Sequence, residues 1–371
     1  MKFSKERNYH CCGPRTYFYF SFLLVAAVLY ALFNVGCARE DSGQSIKTSY
    51  SFRVETDKAS GQAVVALRRE GPDPLEIKIA PGVGANLFSM LYKGKDLLLG
   101  PPSLAEFTGE RYGIPVLYPT PCRIPKGKFT FERRSFDFGT NREDTWIHGL
   151  VRTEPWQYDT PTADEKGARV RMWIDFAPGS PLYAKFGYEH SLILDYSLDE
   201  KGILVSYTLQ NRDKERLPFG FGLHPYFNYI GPRDEVYVTV PSEGYMEEEN
   251  LVPTGGIGKL DGNFRDLRQT GKVSALVLDD VYTGMKPDKP ATIEYRQSGI
   301  RLTLAASPEF THMIVYDQPQ NPFFCVENLT SSPDAHNLYA RGFASESHLI
   351  VVPPGGESKG WVRYLIEPLK K

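Results

Sequence analysis

The run Gly202-Ile203-Leu204-Val205-Ser206-Tyr207-Thr208-Leu209-Gln210 decides the fold. Val205, Tyr207 and Leu209 share one face and Leu204, Ser206 and Thr208 the other, the period-two pattern of a strand with one side in a core. The alternation returns at Ile300, Leu302 and Leu304 against Arg301 and Thr303. Working outward, strand-like segments are expected at 51–56, 63–69, 75–79, 128–133, 170–176, 189–198, 236–240, 292–296, 313–316, 323–327, 348–352 and 361–366. Gly, Pro, Asn and Asp separate them, and the only helical pattern is a short one at 103–107. Many short strands without a fixed repeat predict an all-β fold of large antiparallel sheets packed face to face, not a propeller or solenoid.

The chain has 371 residues, within the range of one large all-β domain. Its formal net charge is −2, and Lys2, Lys5, Arg7 and Arg15 against Glu6 make the first segment +3, which leaves a mildly acidic body at −5. That balance excludes a nucleic-acid footprint, which needs clustered Lys and Arg. Positive residues followed by an uncharged apolar run at 17–35 read as an export or anchoring segment. Gly36-Cys37-Ala38 after it resembles a bacterial lipoprotein cleavage box, although Asn34 stands where an aliphatic residue is usual. Residues 1–37 are therefore expected to be a lipoprotein signal or an uncleaved anchor, 38–48 a tether and 49–371 the domain, held at a membrane outside the cytoplasm.

Gly220-Phe221-Gly222-Leu223-His224-Pro225-Tyr226-Phe227 fixes one imidazole between two glycines and a proline. Pro225 biases His224 to extended conformations, the glycines permit close approach, and histidine titrates nearest neutrality, so His224 is a candidate proton donor or a satisfied core histidine. Arg123, after the stiff Pro- and apolar-rich run 113–122, is a candidate clamp for sugar hydroxyls or half of a structural ion pair. His148 precedes Gly149, and Asp279-Asp280 ends the apolar run 275–278. Glu327 closes the apolar strand Phe323-Phe324-Cys325-Val326 and must be half-buried at least, which calls for a partner or a raised pKa. Cys122 and Cys325, the only cysteines of the body, read as a disulfide or as two buried thiols.

Taken together and in order, Arg123-Ile124, His148-Gly149, Gly222-x-His224-Pro225-Tyr226-Phe227, Asp279-Asp280-Val281-Tyr282 and Cys325-Val326-Glu327 resemble the aldose 1-epimerase (galactose mutarotase) family. The resemblance runs from about Val64 to Pro368 and implies the large antiparallel β-supersandwich. It also implies that Glu327 is the base and His224 the proton donor. His148, Arg123 and Asp279 would position the substrate, Asp279 rather than Asp280 because an aromatic, Tyr282, lies three positions on.

The expected activity is interconversion of the anomers of a free hexose such as glucose or galactose, by a monomer needing no cofactor. Acid and base are expected across one pocket, a sugar's width apart. A metal site built on the two histidines lacks a third closely spaced ligand. Asn328 and Leu329 after the glutamate, and Cys122 before the arginine, depart from the family pattern and bear on sugar identity. A hexose-phosphate mutarotase would need extra Lys or Arg at the rim. A non-catalytic sugar-binding lipoprotein would need no proton relay, and a polysaccharide enzyme would want more than four tryptophans.

Overall fold

Two broad antiparallel sheets and a smaller one carry the chain. The computed structural model describes residues 47–108 and 111–369, which belong to the unit 46–371. The expected segment 1–37, and all but the end of the tether 38–48, lie outside the described residues. Among the described residues no helix is long and apolar enough to cross a membrane.

The stretch Gly202–Asn211 lies in the middle of a ten-stranded sheet, paired antiparallel with His190–Asp199 on one side and Glu357–Pro368 on the other. Its burial alternates as its sequence does: Val205, Tyr207 and Leu209 are buried while Leu204, Ser206 and Thr208 are partly exposed. An eight-stranded sheet runs in the order Val252–Gly258, Gly244–Glu249, Leu278–Thr283, His312–Asp317, Phe323–Leu329, Gly222–Leu223, Val116–Leu117, with Tyr226–Asn228 also paired to Phe323–Leu329. A five-stranded sheet comprises Ser49–Thr56, Ala63–Glu70, Leu75–Ala80, Asn86–Tyr92 and Lys95–Asp96. One apolar cluster joins all three, with Leu67 and Ile77, Leu194 and Tyr196, Val315 and Val326 among its members. Antiparallel sheets meeting in one core agree with the packing expected from the strand pattern and with the supersandwich that the resemblance implies.

The strand Phe323–Leu329 shows how this architecture makes a site. All of its residues are buried, so it is covered on both faces. Phe324 and Val326 point into the main core. Cys325, Glu327 and Leu329 point to the other face, where Leu117, Val281, Ile314 and Leu338 form a second apolar cluster. Leu338 comes from the short helix Ala335–Ala340. A carboxylate placed on this outer face by alternation alone is therefore roofed by loops and a helix rather than bathed in water.

The pattern at 103–107 becomes a single 3-10 turn, Leu104–Glu106. Among the strands outside the expected segments are Asn86–Tyr92, Gly244–Glu249 and Val252–Gly258. The first is interrupted by a register shift opposite Lys78/Ile79, and the other two by one at Met246/Glu248 and by several glycines, which blur a period-two pattern. Asp279 also lies inside a strand, Leu278–Thr283, rather than at the end of an apolar run.

Candidate active site

Antiparallel register assembles the site. Gly222 pairs with Leu329 and Leu223 with Asn328; after His224, Tyr226 pairs with Cys325. His224 is thus carried to the position beside Glu327, where cross-strand side chains are contact neighbours. Its Nε2 lies 3.3 Å from Glu327 Oε1. The imidazole stacks on Tyr226 at 4.6 Å between centroids and 9° between planes. The His224 backbone N–H donates to the Pro115 carbonyl. The glycines upstream allow close approach: a Cβ on Gly222 would stand 2.4 Å from Leu329 Cδ2, and one on Gly220 2.2 Å from Ser331 Oγ.

The expectation of acid and base a sugar's width apart is corrected: they touch. The reason is the ladder, which leaves no room for a ring between adjacent chains. The chemistry agrees with contact, because the two oxygens that exchange protons in anomer interconversion, O1 and the ring oxygen, are bonded to the same carbon.

His148 arrives from a second direction, on a ribbon in which Thr145–Ile147 pairs with Arg123–Pro125. Its N–H donates to the Cys122 carbonyl, and its ring meets His224 edge-on at 4.9 Å. His148 itself has φ +69°, a left-handed conformation rare outside glycine and held here by its surroundings. Gly149 follows with φ +70°, where a Cβ would sit 2.2 Å from the Tyr118 carbonyl oxygen. The paired strand presents Arg123, whose Nη2 is 3.6 Å from Asp279 Oδ2 and whose carbonyl accepts the Asp334 N–H. Asp280, on the opposite face, is held by Arg265. The five residues expected from sequence, Glu327, His224, His148, Arg123 and Asp279, therefore stand together. Side-chain exposure grades from 3% at Glu327 and 9% at His224 to 16% at Arg123 and 26% at Asp279, which marks floor and mouth.

Burial dominates the electrostatics. It raises the Glu327 carboxyl well above the usual carboxylate range, with Asp279 adding to the rise and Arg123 opposing it. It lowers His224 to about 3, with Arg152 and Arg123 adding to the fall. His148 is lowered well below its ordinary value by burial, then by His224 and nearby arginines. Both directions favour the neutral form of each group. Glu327 Oε2, His224 Nδ1 and His148 Nδ1 are buried with no hydrogen-bond partner. Burying a polar atom unpaired costs about 1–3 kcal/mol, a cost that a hydrogen-bonding ligand would offset.

Glu248 was not found from sequence. Burial, with Asp279 and Asp280, pushes its carboxyl up to about 8, while Arg123 and Arg265 oppose the rise. Within Glu247-Glu248-Glu249 it reads as one member of a solvated charge run. The irregularity at Met246/Glu248 is what re-aims it, and the runs of glycine on the partner strand, Gly255-Gly256, are the only hint in the sequence. Cys122 and Cys325 are both free and buried.

A mostly antiparallel sandwich with a buried carboxylate–imidazole pair beside the partly exposed Arg123 and Asp279 defines a galactose mutarotase-like protein. The aldose 1-epimerase family model matches residues 73–365, and the chain belongs to that family. It is 26% identical over 264 residues to the uncharacterised protein YihR of Escherichia coli K12, covering 69% of this chain and 81% of that one. It is 29% identical over 185 residues to the galactose mutarotase of Rattus norvegicus, covering 48% of this chain and 52% of the relative, so the match spans about half of that enzyme. A galactose mutarotase-like protein from Clostridium acetobutylicum superposes with a TM-score of 0.77 at 22% identity, over 86% of this chain and 99% of that one. The galactose 1-epimerase of Lactobacillus acidophilus gives 0.68 at 19%, over 88% and 100%. The family supports isomerase activity of the epimerase kind in general.

Proposed function

We propose that the protein interconverts the α and β anomers of a free hexose, with Glu327 as base and His224 as acid. The observation that carries this reading is the 3.3 Å contact between the buried Glu327 Oε1 and His224 Nε2. The pair needs one shared proton in all. With that proton on the imidazole, the carboxylate takes the O1 proton as His224 protonates the ring oxygen, and the ring opens to the aldehyde. Glu327 is now neutral and so is His224, the arrangement that burial favours. Rotation about C1–C2 presents the other carbonyl face. The carboxyl then returns its proton to the carbonyl oxygen, the imidazole takes the hydroxyl proton, and the other anomer closes. Sugar hydroxyls meeting the orphaned Glu327 Oε2 would draw the proton onto His224 and start the cycle. His148, Arg123 and Asp279 hold the sugar, the last two as a donor–acceptor pair whose own ion pair is 3.6 Å long.

The test is polarimetry of fresh α-glucose and α-galactose with the purified protein. Acceleration over buffer is expected. Binding of either sugar without acceleration would instead establish a non-catalytic sugar binder.

One observation favours a second reading, a hexose bearing an anionic group. Arg111, Arg123, Arg142 and Arg152 all lie near enough to Tyr226, His148, His224 or Asp279 to act on them electrostatically. Faster equilibration of glucose 6-phosphate than of glucose, lost on Arg142→Ala, supports that reading over the neutral sugar. We place the protein outside the cytoplasm on the strength of residues 1–37. Mass spectrometry of the mature chain checks it, through loss of residues 1–36 and lipid on Cys37 or retention of the whole segment.

A further inference from the structure

The metal site that the sequence pattern lacked for want of a third ligand acquires one in three dimensions. Cys325 stands two residues before Glu327 on the same strand, so alternation puts both on the same face. Register sets Cys325 opposite Tyr226, one step from His224. One ligand atom from each of His224, Cys325 and Glu327 falls within 4.8 Å of the others, and all three residues are buried. The nitrogen-to-oxygen edge is already 3.3 Å. Zinc bonds of ~2.0–2.3 Å in a tetrahedron need edges of roughly 3.3–3.7 Å, so the thiol closes in by about 1 Å at most. Independently, Glu327 Oε2 is a buried oxygen with no hydrogen-bond partner in the same place.

We infer that His224, Cys325 and Glu327 bind a thiophilic divalent cation, of which Zn²⁺ is the natural example, in the floor of the sugar recess. Charge explains why this buried trio suits a dication: one thiolate, one carboxylate and one neutral imidazole exactly cancel +2, and no ion is left uncompensated in a low-dielectric place. The proton balance is definite. The thiol gives up one proton and the His224–Glu327 pair gives up the one it shares, so two protons leave for each cation bound. Mg²⁺ and Ca²⁺ are poor fits because they select oxygen ligands, whereas sulfur with nitrogen selects zinc-like ions. Three protein ligands leave the fourth position of a tetrahedron for water or another donor. Cation and sugar require the same imidazole and carboxylate, so the cation is a competitive inhibitor. Binding of the cation stands without the mutarotase reading; only the inhibition rests on it.

Cobalt(II) is the probe, titrated into reduced, chelator-treated full-length protein. A near-ultraviolet thiolate-to-cobalt charge-transfer band is expected, displaced by Zn²⁺, retained in Cys122→Ala and lost in Cys325→Ala. Cys325→Ser, which preserves volume, serves the same purpose should the alanine variant not fold. In the anomer assay, Zn²⁺ should raise the apparent KM for sugar in the wild type. The Zn²⁺ concentration for half inhibition should rise at least tenfold in the Cys325 variants, whose cation-free rates stay within a few-fold of wild type. A band absent from the wild type, a band unchanged in a folded Cys325 variant, or equal Zn²⁺ sensitivity would each overturn the proposal. A Cys325-dependent band in a protein that accelerates no anomer equilibration would uphold the cation site and remove the mutarotase reading.

Discussion

Removing Glu327 and His224 singly and together separates a touching pair from two independent catalysts. General acid–base groups contribute about 10²–10⁴-fold each. If they acted independently, Glu327→Gln with His224→Asn would lose the product, about 10⁴–10⁸-fold, equivalent to roughly 5–11 kcal/mol at 1.36 kcal/mol per decade. The structure argues otherwise. The two groups are 3.3 Å apart and buried, and in the proposed cycle they share one proton, so removing either destroys the relay that both serve. The double variant should therefore lose no more than the worse single variant, about 10²–10⁴-fold in kcat, a coupling of roughly 3–5 kcal/mol between them. The assay is polarimetric equilibration of α-galactose and α-glucose at fixed pH, with the buffer rate subtracted and sugar affinity measured separately. Multiplicative losses would refute the shared-proton relay, and an unchanged rate in either single variant would remove that residue from the mechanism.

The pH profile follows from the same pair. His224, lowered to about 3, takes a second proton only in strong acid, and the raised Glu327 keeps the shared one well past the usual carboxylate range. kcat/KM should therefore show no histidine limb near pH 6.5, its acid-side loss lying well below that unperturbed value; activity lost as pH falls through 6.5 contradicts the assignment. Glu248, at about 8, loses its proton as pH rises and adds negative charge beside Asp279, so kcat/KM should fall above pH 8 and Glu248→Gln should abolish that fall. Gly149→Ala puts a Cβ 2.2 Å from the Tyr118 carbonyl oxygen at φ +70°, and a urea-midpoint loss of roughly 3 kcal/mol or more is expected. A loss under about 1 kcal/mol would show that the turn yields. Burial raises Asp334 to about 7, with its Oδ1 accepting from Asn337 Nδ2 at 2.6 Å. A raised acid is bound more tightly to its proton in the folded chain, so this group's contribution to stability is lost as pH climbs from the unfolded value near 4 to about 7. Asp334→Asn, tolerated at φ +53°, should stabilise by about 1–4 kcal/mol at pH 8 and little at pH 4, read from urea midpoints at the two pH values.

What was legible in the sequence is what depends on one chain segment at a time. Val205, Tyr207 and Leu209 declare their strand because one face must be buried, and the same holds for Ile300, Leu302 and Leu304. Glu327 declares itself because nothing apolar explains a carboxylate at the end of Phe323-Phe324-Cys325-Val326. What stayed hidden depends on register between segments far apart in the chain. No local pattern says that Leu223 pairs with Asn328, yet that pairing turns a supposed sugar-wide gap between His224 and Glu327 into contact. The same ladder brings Cys325 to His224, which is why the proposed third cation ligand had no sequence signature. Glu248 was masked for a different reason: the irregularity at Met246/Glu248 breaks the alternation that would have told an inward carboxylate from its solvated neighbours. The residues proposed to carry the proton chemistry were therefore readable, whereas the distances between them, on which the proposed mechanism turns, were set by hydrogen-bonded backbone that no single segment encodes.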